Sequence, residues 1–114
     1  MHEMSIARGI VSHAGQIARR HGAGQVRRVR IEIGPLSGID GRSLEFCFPY
    51  ARTEDELTKD CRLEITEVPL LLDCPRCEKQ VEGSLTNLRC TLCGSDGVTV
   101  SQGMAIQIKD LEVI

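Results

Sequence analysis

Tryptophan is absent from this chain, and aromatic side chains are scarce: Phe46, Phe48 and Tyr50 are all it has. The core must therefore be built mostly from Ile, Val and Leu, and it will be modest. A strong excess of either charge is also missing. With a formal net charge of −2, bulk electrostatics does not point to nucleic acid or to an anionic membrane. No apolar run approaches the ~18–20 residues of a membrane span. The start of the chain lacks the basic region and apolar core of a secretory signal. These absences lead to the expectation of a cytoplasmic protein with reduced thiols, working without nucleic acid and without a membrane.

What is present is a cysteine pattern. Cys74-Pro75-Arg76-Cys77 is followed, after a C-x2-C-x12-C-x2-C spacing, by Cys90-Thr91-Leu92-Cys93. Each half offers two thiolates on one tight turn, and two such turns can close a tetrahedron around one ion. Structural zinc takes four such ligands. The bland alternative, two Cys-x-x-Cys disulfides, would close very small rings and staple little chain. A site closed by four thiolates has no open position for substrate, so this Zn(II) is expected to hold structure. A small core makes such a staple reasonable. Cys47 and Cys61 are expected to be small buried hydrophobes.

In chain order, Ile6, Ile10, Val11, Ala14, Ile17 and Ala18 mark one face of a helix, stopped at Gly22 and Gly24. Val29, Ile31 and Ile33 alternate with Arg28, Arg30 and Glu32, which predicts a half-buried strand over 26–33. Asp40 is a plausible N-cap for a second helix carrying Leu44, Cys47, Phe48 and Ala51, with Pro49 shortening or bending it. The stretch 53–60 is polar and reads as an exposed helix end or loop. A second strand follows at 61–67, with Leu63 and Ile65 on one face. Met104, Ile106 and Ile108 begin a last strand whose phase slips before Leu111 and Val113, as a bulge would cause.

The last strand has no partner nearby in sequence, so it is placed back in the first sheet. The fold class expected is α+β: a small three-stranded sheet with two helices on one face, plus an inserted zinc ribbon. The domains are 1–69, forming the first part of the α+β domain, then 70–103 for the ribbon, and 104–114 for the returning strand.

The amino terminus is the other constellation. The bulky His2 argues against removal of Met1. The Met1 amine, the His2 amide and imidazole, and a donor from Glu3 can form consecutive chelate rings. Four nitrogen or oxygen donors in a plane suit Ni(II) or Cu(II). These residues alone leave a second reading open, in which His2 and Glu3 simply start a helix whose dipole favours Glu. His13 and His21 read as surface histidines.

Taken together, Met1-His2-Glu3 with Ser5, Ile31-Glu32-Ile33-Gly34, Leu36 to Asp40, Ser43-Leu44, the paired cysteines and the ending from Gly103 to Val113 resemble the HypA/HybF family of hydrogenase maturation factors. The resemblance implies a nickel metallochaperone that delivers Ni(II) to the large subunit of nickel–iron hydrogenase with a HypB-type GTPase as partner. A homo-oligomer is a further candidate assembly. It places nickel on Met1, His2 and Glu3, with Asp40 nearby, and zinc on Cys74, Cys77, Cys90 and Cys93.

The competing reading is a zinc-ribbon module for nucleic acid or protein interaction. Between Cys74 and Cys93 stand Arg76, Lys79 and Arg89 against Glu78 and Glu82, with no aromatic, whereas nucleic acid calls for a basic stripe and stacking rings. Four thiolates also suit iron. No nucleophile, base and orienting group form a set, so no enzyme is expected.

Overall fold

The computed structural model describes residues 2–114; Met1 lies outside the described residues. Two compact units divide the chain. One takes residues 1–31, 39–66 and 107–114, the other 32–38 and 67–106.

The first unit is built on two helices. In α1 (Glu3–Arg20) the buried positions are Glu3, Ala7, Ile10, Val11, Ala14, Gly15 and Ala18, the i, i+3, i+4 spacing of a single apolar stripe. Most of these side chains are small, which lets α1 lie close against α2 (Gly41–Ala51). The second helix buries Leu44, Phe48 and Ala51 on its inner side. Pro49 stands in its last turn, where the missing N–H costs only one bond near the helix end. A short 3₁₀ turn over Arg52–Glu54 then carries the chain away.

Strand β1 (Val26–Ile33) is central in a sheet of order β2-β1-β6, with β2 at Arg62–Glu67 and β6 at Ile106–Val113. Val29 and Ile31 are buried, while Arg28 and Arg30 on the opposite face pair with Glu64 of β2 and with Glu112 and Asp110 of β6. One face is therefore apolar under the helices and the other is a solvated ladder of ion pairs. The fold is α+β, as the sequence implied.

Three expectations, those for 53–60, Met104 and Cys47, need correction, while the expected slip in phase within the last strand is seen. The stretch 53–60 is polar but not loose. Thr58 is fully buried, its hydroxyl donating to the carbonyls of Arg52 (2.9 Å) and Asp55 (3.3 Å), and the Val26 N–H donates to the Leu57 carbonyl. Met104 is 60% exposed and precedes β6, because the chain bends at Gly103, where φ is +101°. Within β6, Lys109 and Asp110 are both exposed before Leu111 turns inward, so the slip in phase falls inside the strand. Cys47 is half-buried, whereas Cys61 is fully buried and its thiol is pushed up to about 11, chiefly by burial.

The second unit is a small antiparallel sheet of order β4-β3-β5: β3 Leu71–Cys74, β4 Lys79–Glu82 and β5 Thr99–Gln102. Leu70, Leu72, Cys74, Val81 and Cys90 are its buried core, with Leu36, Val98 and Val100 packed against them. Among the described residues no helix is long and apolar enough to cross a membrane.

Candidate metal centres

Four cysteines converge in the second unit. The β3–β4 hairpin pairs Leu72 with Val81 and Cys74 with Lys79. Its turn contains Cys77, and Glu78 adopts a left-handed φ of +56° to close it. The second pair comes from a tight loop in which the Gly94 N–H donates to the Cys90 carbonyl at 2.9 Å, with Gly94 at φ +75°.

In each loop a backbone N–H is aimed at sulfur. Cys77 N–H donates to Cys74 Sγ at 3.5 Å, and Leu92 N–H donates to Cys90 Sγ at 3.4 Å. Such donors stabilise thiolate over thiol. The Cys90 thiol is accordingly lowered, by the Cys93 N–H first and the Leu92 N–H after it, against its burial. Cys77 is raised instead, by the neighbouring Cys93 sulfur first and then by burial. Four sulfurs this close cannot all ionise unless a cation sits among them.

The distances fit such a cation. Cys74 and Cys93 Sγ lie 3.7 Å apart, Cys77 and Cys90 Sγ 3.8 Å apart, and all four fall within 4.8 Å of one another. A tetrahedron with metal–sulfur bonds of about 2.3 Å has edges of about 3.8 Å. The same separations are far beyond a disulfide bond of about 2.05 Å, and all six cysteines are free. The residues present therefore suit a four-thiolate ion.

The amino-terminal residues belong to the first unit. His2 is exposed and occupies the N-cap position of α1, with no side-chain cap. Its carbonyl accepts the first helical bond, from the Ile6 N–H at 2.9 Å. Glu3 is buried to 8% exposure, and its Oε2 accepts from the Asp40 N–H at 3.3 Å. Asp40 in turn caps α2: Oδ1 accepts from the Arg42 N–H at 3.0 Å and Oδ2 from the Ser43 hydroxyl at 3.3 Å.

Of the four residues singled out for nickel, Glu3 and Asp40 are joined by a hydrogen bond where the starts of α1 and α2 meet, and His2 is exposed at the N-cap position just before Glu3; the group of potential metal ligands brought together among the described residues is that of the four cysteines. The fourth, Met1, lies outside the described residues. His13 and His21 are exposed. Sequence reasoning did not find the bond from Asp40 to Glu3. Burial of a glutamate in the first turn of an apolar stripe is the signal that something must satisfy it.

Comparison with known proteins follows the same lines. The family described as "Hydrogenase/urease nickel incorporation, metallochaperone, hypA" matches residues 1–113. A hydrogenase maturation factor HypA of Azotobacter vinelandii is 42% identical over 113 residues, spanning 99% of both chains. That of Rhodobacter capsulatus is 37% identical over 114 residues, spanning both chains fully. A solution structure of the Ni metallochaperone HypA from Helicobacter pylori superposes with a TM-score of 0.77 at 27% identity, covering 100% of this chain and 98% of that one.

Proposed function

The chain belongs to the HypA family, and on that premise we propose that it carries Ni(II) at its amino terminus for hydrogenase maturation. The client is the large subunit of nickel–iron hydrogenase, the working partner is a HypB-type GTPase, and the compartment is the cytoplasm. The observation that supports the nickel reading is the Glu3–Asp40 hydrogen bond, which puts Asp40 beside the residue that follows His2 in the chain.

The donors are the Met1 amine, the His2 amide and imidazole, and a donor from Glu3. The Glu3 carboxylate is turned inward to Asp40, which favours its backbone amide as the fourth ligand. Asp40 is the further candidate. Its carboxylate would have to release the Arg42 N–H and the Ser43 hydroxyl to reach the ion. Every donor must lose a proton before it binds, so affinity falls as pH falls. A site made from one helix start and a chain end has few protein contacts to break when the ion leaves, which suits delivery. The chemistry the family performs is transfer of an ion, and no step here needs a catalytic group.

In the second unit, Cys74, Cys77, Cys90 and Cys93 hold Zn(II). The zinc supplies cohesion and, with four sulfurs around it, no open coordination position. The labour is divided accordingly: the nickel-binding domain of 1–69, closed by 104–114, handles the cargo, and the ribbon of 70–103 is the metal-stapled insertion.

The test is nickel calorimetry on three forms: the chain with its free Met1 amine, the chain extended by one residue before Met1, and His2→Ala. Extension turns the amine into an amide and should abolish tight nickel binding, as should His2→Ala, while zinc stays in the ribbon. Equal nickel affinity in the extended form would remove the terminal amine from the ligand set.

A further inference from the structure

Aromatic side chains are rare in this chain, yet two of the three stand in water. Phe46 and Tyr50, one turn apart on α2, are 72% and 62% exposed, while Phe48 between them is buried. Their ring centroids lie 6.0 Å apart at 51°, within the range of an attractive pair. The fold does not call for them, since Leu44, Phe48 and Ala51 already supply the buried side of the helix. Beside Phe46 the surface dips into an open depression of about 410 Å³, lined by Glu3, Met4, Arg42, Ser43, Phe46 and Cys47.

Charge at this place is also unspent. In the same unit Arg8, Arg19, Arg28 and Arg30 each face a carboxylate, while Arg20, Arg27, Arg52 and Arg62, like Arg42, do not among the described residues, and of these Arg42 is the one that lines the depression. The Arg42 guanidinium has no ion pair among the described residues. Aromatic side chains, Met and Arg are the types enriched at the centres of protein interfaces, whereas an ordinary solvated helix face is richer in Lys and Glu.

Position selects the occupant. Glu3 lines the depression, accepts a hydrogen bond from Asp40 and directly follows His2 in the chain. An ion handed directly from His2 to another protein's ligands requires those ligands within a few ångströms, so the recipient must lie over this surface. We infer that the Phe46–Tyr50 face of α2, with the depression beside it, is where the nickel-accepting protein docks. That protein presents an apolar side chain to the depression and a carboxylate to Arg42. The inference rests on the nickel-carrier reading of the terminus.

The probe is the purified nickel-free precursor of the hydrogenase large subunit, immobilised for interferometry with the full chain in solution. The double variant Phe46→Ser, Tyr50→Ser alters only exposed side chains, and Arg42→Gln removes only the positive charge that lines the depression. The double variant is expected to bind the precursor about tenfold or more weakly, and Arg42→Gln several-fold more weakly. Both should keep the parent's nickel stoichiometry by calorimetry, which also reports that they are folded. His2→Ala should do the reverse, losing nickel while still docking. Docking of the double variant as tight as the parent's, or no docking by the parent, overturns the inference. If sedimentation shows a parent dimer that the double variant breaks, the face joins two copies and the inference is equally overturned. Retention of nickel by His2→Ala would instead count against the carrier site, independently of docking.

Discussion

Asp55 ties α1 to the turn that follows α2. Its carboxylate takes a two-pronged bond from Arg19, with Nη1 to Oδ2 at 2.9 Å and Nη2 to Oδ1 at 2.8 Å, and a further bond from the Leu57 N–H at 2.9 Å. Gly15 leaves the space for it, since a Cβ there would meet Asp55 Oδ2. The Asp55 pKa is lowered, by Arg19 first, against its partial burial, and then by the Leu57 N–H. A carboxyl whose folded pKa lies below its unfolded value adds stability above the unfolded value, near 3.9, and loses it as pH falls further. Asp55→Asn is therefore expected to cost about 1 kcal/mol at pH 7, a modest figure because Arg19 is half in water. The gap from the parent should narrow as pH falls below the unfolded value and through the lowered folded one. Urea unfolding at pH 7 and pH 3 checks this, and a gap that persists unchanged in acid would show that the charge is not the cause. Nothing in the polar run around Asp55 announced such a role. Partners 36 residues apart leave no local pattern, and the same is true of Glu3 and Asp40.

At the scale of elements, legibility followed length and chemistry. Strand β1 could be read because six residues, Arg28 to Ile33, alternate cleanly, and Asp40 because a cap has a fixed local geometry. The paired cysteines could be read because coordination fixes their spacing. Strands β3, β4 and β5 are four residues each, too short for period two to stand out, and the sequence indicated only a ribbon there. That ribbon has a core of five buried residues, two of which are cysteines of the metal cluster. Three aliphatic side chains cannot offset the ordering of so much chain, so metal binding there is folding energy. Chelation at mildly acid pH, or Cys77→Ala, is expected to erase amide exchange protection across 70–103 and leave α1 and α2 protected. Loss of protection in the helices as well would mean that the first unit cannot stand alone.

At the scale of the whole molecule, no local pattern in the sequence announced how tightly the segments of the second unit are joined. Within the second unit the Gly34 N–H donates to the Ala105 carbonyl (3.1 Å), Leu36 to Gly103 (2.9 Å) and Val68 to Ile33 (3.0 Å). A Cβ on Gly34 would collide with the backbone of Gly103. One on Gly103 would come within 2.9 Å of Leu70 Cα and 3.1 Å of Pro35 Cδ, at a φ that disfavours any side chain. Backbone atoms cannot swing aside as side-chain ends do. Gly103→Ala should therefore destabilise the second unit by about 2–4 kcal/mol, seen as a lower denaturation midpoint by ribbon amide signals. An unaltered midpoint would mean that these segments part without penalty.

The sheet order β2-β1-β6 also sets a schedule for the protein as it is made. When β1 and β2 have left the ribosome, the far edge of β1 has nothing to pair with, because β6 is translated only after the whole ribbon. At about 5–20 residues per second this interval lasts a few seconds, long enough for an open strand edge to meet another nascent chain. The cysteine loops emerge during that interval, before the strand that finishes the first sheet.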